Sequence, residues 1–281
     1  MGAFIDITGK KFGKLTSVEY LGASKWKCLC ECGKEAIVCG SDLRNGHTKS
    51  CGCAIKKYPI DEHYFDSIDT EEKAYILGFI ASDGNVTWKP YNLKIEINDD
   101  DIDVLTKIAS AMNYDYTPLK YSYVCKYKDG SQAVSHTVRL NITNKTLVRS
   151  LAKYGIVPAK SNVLDMDLEQ IPEDYIRHFI RGYWDGDGHI DITHGIHLSV
   201  VSTFMMIGSF ILHLEKVIPN FAYTLHYRNK DNLMNETMYI NRKAVCMDLL
   251  SYLYEDSNIY MDRKYKQYEI VKERYTRSSN D

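Results

Sequence analysis

Two short segments of this chain repeat each other in residue types able to hold cations: Ile76-Leu-Gly-Phe-Ile-Ala-Ser-Asp-Gly84 and Ile180-Arg-Gly-Tyr-Trp-Asp-Gly-Asp-Gly188. Their glycines fall in step, and Asp83 and Asp187 are 104 residues apart. A second pair keeps the same offset, since Val157-Pro-Ala-Lys160 and Tyr260-Met-Asp-Arg-Lys264 end in lysines that are also 104 apart. One Asp-Gly step is an ordinary turn in any protein. A repeated aspartate with a repeated lysine indicates instead two copies of one supersecondary unit. Carboxylates brought together repel each other, and Mg²⁺ is the cation that favours carboxylate oxygens alongside phosphate and water.

Each motif reads as the second half of a helix. Asp69, Glu71 and Glu72 precede the first and Glu173 and Asp174 the second, acids suited to a helix start. Each helix then stops at a glycine. Within them Gly78 and Gly182 cost about 1 kcal/mol relative to alanine, so close packing of one helix on the other is the expected compensation. Side by side, the helices bring Asp83 and Asp187 together at their C-terminal ends, where the helix dipole disfavours negative charge. A divalent cation between them resolves that conflict.

Alternating runs follow each motif, at 93–98 and 138–142 in the first half and at 196–200, 224–228 and 238–240 in the second, each with one apolar and one polar face. Amphipathic helices are expected over 101–112, 144–154, 203–217 and 241–254. Each half is then helix, strands, helix, strands, helix, which makes the class α+β, with repeats at 59–165 and 166–281. An antiparallel sheet covered by helices on one face leaves the other free, and a two-stranded ribbon fits the DNA major groove. The outward residues Lys94, Glu96, Arg139, Asn141, His197, Ser199, His226 and Arg228 are the candidate contacts to double-stranded DNA.

Six of the eight cysteines, Cys28, Cys30, Cys32, Cys39, Cys51 and Cys53, lie in the first part of the chain. Paired cysteines at both ends of a polar loop are metal-ligand spacing, and four thiolates suit tetrahedral Zn²⁺. The expected set is Cys30, Cys32, Cys51 and Cys53. Alternation along a strand puts Cys28 on the side of Cys30, so Cys28 is the alternative ligand, and Cys39 is assigned to packing. A disulfide framework would need an oxidising compartment, and the start of the chain shows no secretory signal. Residues 1–58 thus form a small zinc module, joined to the rest through Lys56-Lys57-Tyr58-Pro59.

The composition, 44% hydrophobic and 26% charged, excludes disordered and fibrous classes, and no apolar run approaches a membrane span. A cytoplasmic protein without a membrane or small-molecule partner is expected. The net charge of −2 argues against generic nucleic-acid affinity, but it is unevenly spread. Residues 1–58 carry ten Lys and Arg against five Asp and Glu, and the remainder 25 against 32.

The duplicated motif, with Lys160 and Lys264, resembles the LAGLIDADG homing endonucleases over about residues 66–275. That resemblance implies a saddle-shaped DNA-binding sheet built from two pseudo-symmetric αββαββα repeats in a monomer. It implies Mg²⁺-dependent cutting of both strands of a long DNA site, with Asp83 and Asp187 binding metal and Lys160 and Lys264 stabilising charge on the phosphate. Two half-sites are expected, Asp83 with Lys160 and Asp187 with Lys264. Where the second motif has Asp185 the first has Ala81, so Asp185 is read as structural, and Tyr183 and Trp184 as core. Residues 5–54, through Phe12-Gly13-Lys14-Leu15 and Ser50-Cys-Gly-Cys53, resemble the cysteine-rich modules that precede phage and mobile-element nucleases. This implies an auxiliary DNA-binding role with Arg44, His47 and Lys49 as phosphate contacts. The competing reading is a non-cleaving DNA-binding protein or intron-RNA maturase on the same scaffold.

Overall fold

The computed structural model describes residues 4–53, 59–115, 117–127, 129–229 and 232–278. Residues 54–58, which hold most of the expected linker, lie outside these, as does the side chain of Arg228. The chain divides into two compact units, Met1–Tyr58 and Pro59–Asp281.

In the first unit, strands β1 (Lys11–Phe12), β2 (Leu15–Gly22), β3 (Lys25–Cys30) and β4 (Glu35–Cys39) form an antiparallel sheet in sequence order, followed by the short helix α1 (Gly40–Arg44). A small core of Ile7, Leu15, Trp26, Cys28, Cys30, Val38 and Leu43 holds it. The β1–β2 turn turns on Gly13, whose φ of +62° suits glycine and whose missing side chain lets the Lys49 backbone approach. Lys14 N–H donates to the Lys49 carbonyl at 2.7 Å, and Glu31 N–H to the Lys14 carbonyl at 2.8 Å. The turn thereby carries the segment around Cys51 to the β3–β4 turn, where Cys30 and Cys32 lie.

The second unit opens with α2 (Glu71–Asp83), capped by the Thr70 hydroxyl, which accepts from Lys73 N–H at 3.2 Å. Strands β5 (Gly84–Trp88) and β6 (Tyr91–Asn98), helix α3 (Ile102–Ala111), strands β7 (Leu119–Lys126) and β8 (Gln132–Ile142) and helix α4 (Lys145–Lys153) follow. The same order then recurs in α5 (Glu173–Asp187), β9 (Gly188–Asp191), β10 (His197–Thr203), α6 (Phe204–Val217), β11 (Thr224–Asn229), β12 (Asn232–Ile240) and α7 (Lys243–Tyr254). Helix α8 (Asp262–Ser278) closes the chain. Both sheets are antiparallel, ordered β5-β6-β8-β7 and β9-β10-β12-β11. Among the described residues no helix is long and apolar enough to cross a membrane.

Helices α2 and α5 pack backbone to backbone at the centre of this unit. A side chain at Gly78 would collide with the Phe179 carbonyl, and one at Gly182 with the Tyr75 carbonyl. Such an approach needs glycine on both helices. Every residue of α2 from Ala74 to Ala81 is buried, as expected for a helix apolar all round. A buried ion pair fixes the register at the other end: Arg181 donates to Glu71 at 2.6 Å, and Glu71 also accepts from Asn258 N–H at 2.7 Å.

Candidate active site

Asp83 and Asp187 are the last residues of α2 and α5, and Gly84 and Gly188 cap the helices in extended conformation. The close packing of the helices continues to the aspartates, now against side chains. A side chain at Gly186 would collide with Ser82 and the Asp83 carboxylate. Burial raises the Asp83 carboxyl to about 6, and the Asp187 charge pushes the same way against the pull of Lys264 and Lys160. Two carboxylates and two ammonium groups therefore share one electrostatic environment.

Both lysines are almost fully buried, Lys160 at 6% and Lys264 at 3% exposure. Lys160 begins a short 3₁₀ turn (Lys160–Asn162) after Ala159, which holds a left-handed φ of +59°. That conformation is strained for a residue with a side chain. The Lys160 ammonium donates to the Ser82 carbonyl at 2.6 Å. Lys264, in the first turn of α8, donates to the carbonyls of Trp184, Asp185 and Gly188 at 2.6, 2.7 and 2.5 Å. Burial lowers both ammonium groups, Lys264 to about 8, while the aspartates pull them back up.

Each ammonium bonds the helix end of its expected partner, Lys160 at Ser82 beside Asp83 and Lys264 at Trp184, Asp185 and Gly188 around Asp187, while each also feels the charge of both aspartates. Lys160 and Asp187 also line one cavity of about 190 Å³, with Ser82, Ser161, Tyr183, Ser202, Thr203 and Asn235 among its walls.

Asp185 accepts from Tyr75 Oη at 2.7 Å, Tyr254 Oη at 2.6 Å and Met261 N–H at 2.7 Å and is fully buried, in keeping with its structural assignment. Burial raises its carboxyl against the opposing charge of Lys264. Trp184 is core. Tyr183 is buried too, but its hydroxyl shares a 2.7 Å hydrogen bond with Ser202 and borders the cavity, a polar role that its apolar neighbours in sequence conceal. Gly186, Ser82 and Ser202 had no signal beyond being small and lying near or downstream of the motif.

On the first sheet the expected alternation holds, with Leu93, Ile95, Val138 and Leu140 buried and Lys94, Glu96, Arg139 and Asn141 on the opposite face. Lys94 and Arg139 are tied to Glu96, with Lys94 Nζ at 3.0 Å and Arg139 reaching both carboxylate oxygens at 3.0 Å. The Arg139 guanidinium holds the Glu96 carboxyl down at about 2. Asn141 accepts from Asn92 at 3.2 Å. On the second sheet His197 is exposed and 3.1 Å from Asn241, Ser199 is half-buried, and His226 is exposed with its ring edge-on to Tyr239 at 5.1 Å.

In the first unit the sulfurs of Cys30, Cys32, Cys51 and Cys53 all lie within 4.8 Å of one another. Cys30 and Cys53 are 3.5 Å apart and Cys32 and Cys51 3.3 Å. Tetrahedral Zn²⁺ with bonds of about 2.3 Å needs sulfurs near this spacing. The backbone N–H groups of Cys32 and Cys51 favour the Cys30 thiolate, holding it at about 6, while the other sulfurs push Cys53 up to about 12. The set therefore fits a cation that takes thiolates. Cys28 is instead buried in the small core, its thiol directed to the Trp26 carbonyl at 3.7 Å, and Cys39 lies 3.2 Å from the Ser41 hydroxyl. Arg44, His47 and Lys49 are all exposed.

No protein-family model matches the chain, and no curated protein sequence does. Among solved structures, the homing endonuclease I-WcaI bound to its DNA recognition sequence is similar, with a TM-score of 0.50 and 14% identity over 73% of this chain and 91% of that one. At that identity the likeness is one of fold.

Proposed function

We propose that the chain is a site-specific homing endonuclease of the LAGLIDADG type, cutting both strands of double-stranded DNA as a monomer. The observation that carries this reading is the pairing of Asp83 and Asp187 at the adjoining ends of α2 and α5, among two buried lysines. A carboxyl held at about 6 by burial and a like-charged neighbour is a costly arrangement for a purely structural centre. Its chemistry suits a divalent cation.

In this reading Asp83 and Asp187 hold Mg²⁺, which when bound polarises the attacking water and neutralises charge at the leaving oxygen. The chain's own part is positional. The glycines of α2 and α5 fix the separation of the carboxylates, while the buried ammonium groups of Lys160 and Lys264 add positive charge to the site. The two four-stranded sheets, as halves of one pseudo-symmetric saddle (59–165 and 166–281), supply Lys94, Arg139, Asn141, His197, Ser199, His226 and Arg228 to the DNA. Residues 1–58, organised by Zn²⁺ on four cysteines, add basic contacts. The fold likeness to a DNA-bound homing endonuclease supports this reading, and the protein acts in the cytoplasm of the cell hosting its mobile element.

The experiment is incubation with Mg²⁺ and a plasmid carrying the joined DNA that flanks this gene where the gene is absent. Linearisation at one position, lost in Asp83→Asn and Asp187→Asn with DNA binding retained, is expected. DNA that is bound at low salt yet stays intact would refute cleavage.

A further inference from the structure

The two lysines occupy corresponding places in the sequence but differ in what their ammonium groups have left to give. Lysine carries three N–H donors and no acceptor. All three of Lys264 are taken, by the carbonyls of Trp184, Asp185 and Gly188 at 2.5 to 2.7 Å. These carbonyls end α5, so the ammonium caps the negative end of that helix. The grip is doubled nearby, because Met261 N–H donates to the Asp185 carboxylate, which Tyr75 and Tyr254 also engage. Lys264 is thus bound into the frame. A phosphate oxygen would reach it only by displacing a carbonyl from a buried charge.

Lys160 is buried too and meets a helix-end carbonyl, that of Ser82 in α2, but it is held by fewer bonds. Among the described residues its ammonium makes one hydrogen bond, to Ser82, leaving two donors unassigned. It borders the polar cavity that Asp187, Ser161 and Asn235 also line. Ala159, immediately before it, holds a left-handed backbone that a less constrained chain would abandon.

We infer that the lysines have divided roles: Lys160 is the catalytic lysine, acting beside Asp187, whereas Lys264 is a clamp that fixes the end of α5. The inference rests on the nuclease reading above. In the hydrolysis a water oxygen bonds to phosphorus, its proton passes to solvent, and the leaving oxygen departs with the bonding electrons and takes up a proton. Lys160 stabilises the charge that builds on the phosphoryl oxygens. The two strands are then cut by unequal half-sites, and the strand served by Lys160 depends on it alone.

The test uses the full chain, Mg²⁺ and the supercoiled plasmid described above, with nicked and linear products followed in time. Lys160→Met is expected to melt and bind DNA as the wild type does but to accumulate nicked circles, with second-strand cutting slowed about 10²- to 10³-fold, the usual cost of one lost transition-state donor. Lys264→Met is expected to melt lower, with nicking and linearisation falling in parallel and their ratio unchanged. Nicked circles from a Lys264→Met protein that melts like the wild type would overturn the division, as would normal linearisation by Lys160→Met. Should Lys264→Met fail to fold, ¹⁵N-lysine NMR of the wild type decides: the Lys264 ammonium protons should exchange with water far more slowly than those of Lys160, and equal rates would overturn the clamp. Wild-type protein that leaves the plasmid supercoiled overturns the nuclease reading itself, while the exchange contrast still decides the clamp.

Discussion

Lys160 and Asp187 line the same polar cavity although they belong to different halves of the chain. Their coupling should be measurable without any cleavage. In a double-mutant cycle by denaturant unfolding, Lys160→Met with Asp187→Asn should depart from additivity by about 0.5–3 kcal/mol, the range for groups coupled through a shared cavity. Lys160→Met with Asp83→Asn should depart less. The opposite ranking would tie Lys160 to Asp83 rather than to the cavity it shares with Asp187.

Asp83 should make the cation-free protein lose stability as pH rises. Its folded carboxyl titrates at about 6, above the ordinary 3.8, so the folded state binds the proton more tightly than the unfolded state does. The stabilisation is complete below about 4 and is lost as pH rises through 6. The shift is worth at most about 3 kcal/mol, less in practice because Asp83 is partly open to solvent. Asp83→Asn removes the penalty and should raise the melting temperature at pH 8 more than at pH 5 in chelator. An equal effect at both pH values would mean that the carboxyl is unperturbed.

The α2–α5 contact should tolerate no side chain. Gly182→Ala and Gly78→Ala each force a Cβ into a carbonyl of the opposite helix and should cost more than about 4 kcal/mol, or give insoluble protein. Gly208, in α6, is the control, since a Cβ there meets nothing within 4 Å. Gly208→Ala should stabilise by about 0.5–1 kcal/mol through helix propensity and chain entropy. Comparable losses at all three positions would remove the special role of the packed glycines.

What could be read from the residues follows from how local each signal was. Helices α3, α4, α6 and α7 and strand β6 fall within a few residues of the expected 101–112, 144–154, 203–217, 241–254 and 93–98, because each has one apolar face set by its own periodicity. Strand β7 escaped notice because its residues are mostly exposed and do not alternate, and β8 is far longer than its apolar stretch because its first half pairs with β7 in the open. The cavity that Lys160 and Asp187 share and the three carbonyls around Lys264 depend on contacts across the chain, from 19 residues apart for Tyr183 and Ser202 to 80 for Lys264 and Trp184. Composition and spacing carry no trace of such contacts. Glu96 was legible as an outward residue but not as the anion that neutralises Lys94 and Arg139.

Zinc content should distinguish the cysteines. The wild type should carry one zinc per chain, and Cys30→Ser or Cys51→Ser should lose it along with the fold of residues 4–53, because so small a core gains much of its stability from the metal. Cys39→Ser should keep its zinc. Cys28→Ser should also keep zinc, although placing a hydroxyl among Leu15, Trp26 and Val38 should lower stability. Zinc lost from Cys28→Ser in protein that remains folded would make Cys28 a ligand after all.

Glu96 should act as a brake on nonspecific DNA binding. Lys94 and Arg139 sit on the polar face of the first sheet, yet Glu96 engages both and is held as carboxylate down to about pH 2, so they stay paired through the physiological range. Before either can meet a phosphate it must leave this partner. Glu96→Gln should free them, tightening binding to random duplex DNA at low salt and steepening the slope of log affinity against log salt by about one to two, as expected for one or two added phosphate contacts. Arg139→Ala should weaken binding little in the wild-type background and more in the Glu96→Gln background. If Glu96→Gln leaves both affinity and salt slope unchanged, this sheet face does not meet the DNA backbone and the assignment of Lys94 and Arg139 as contacts falls.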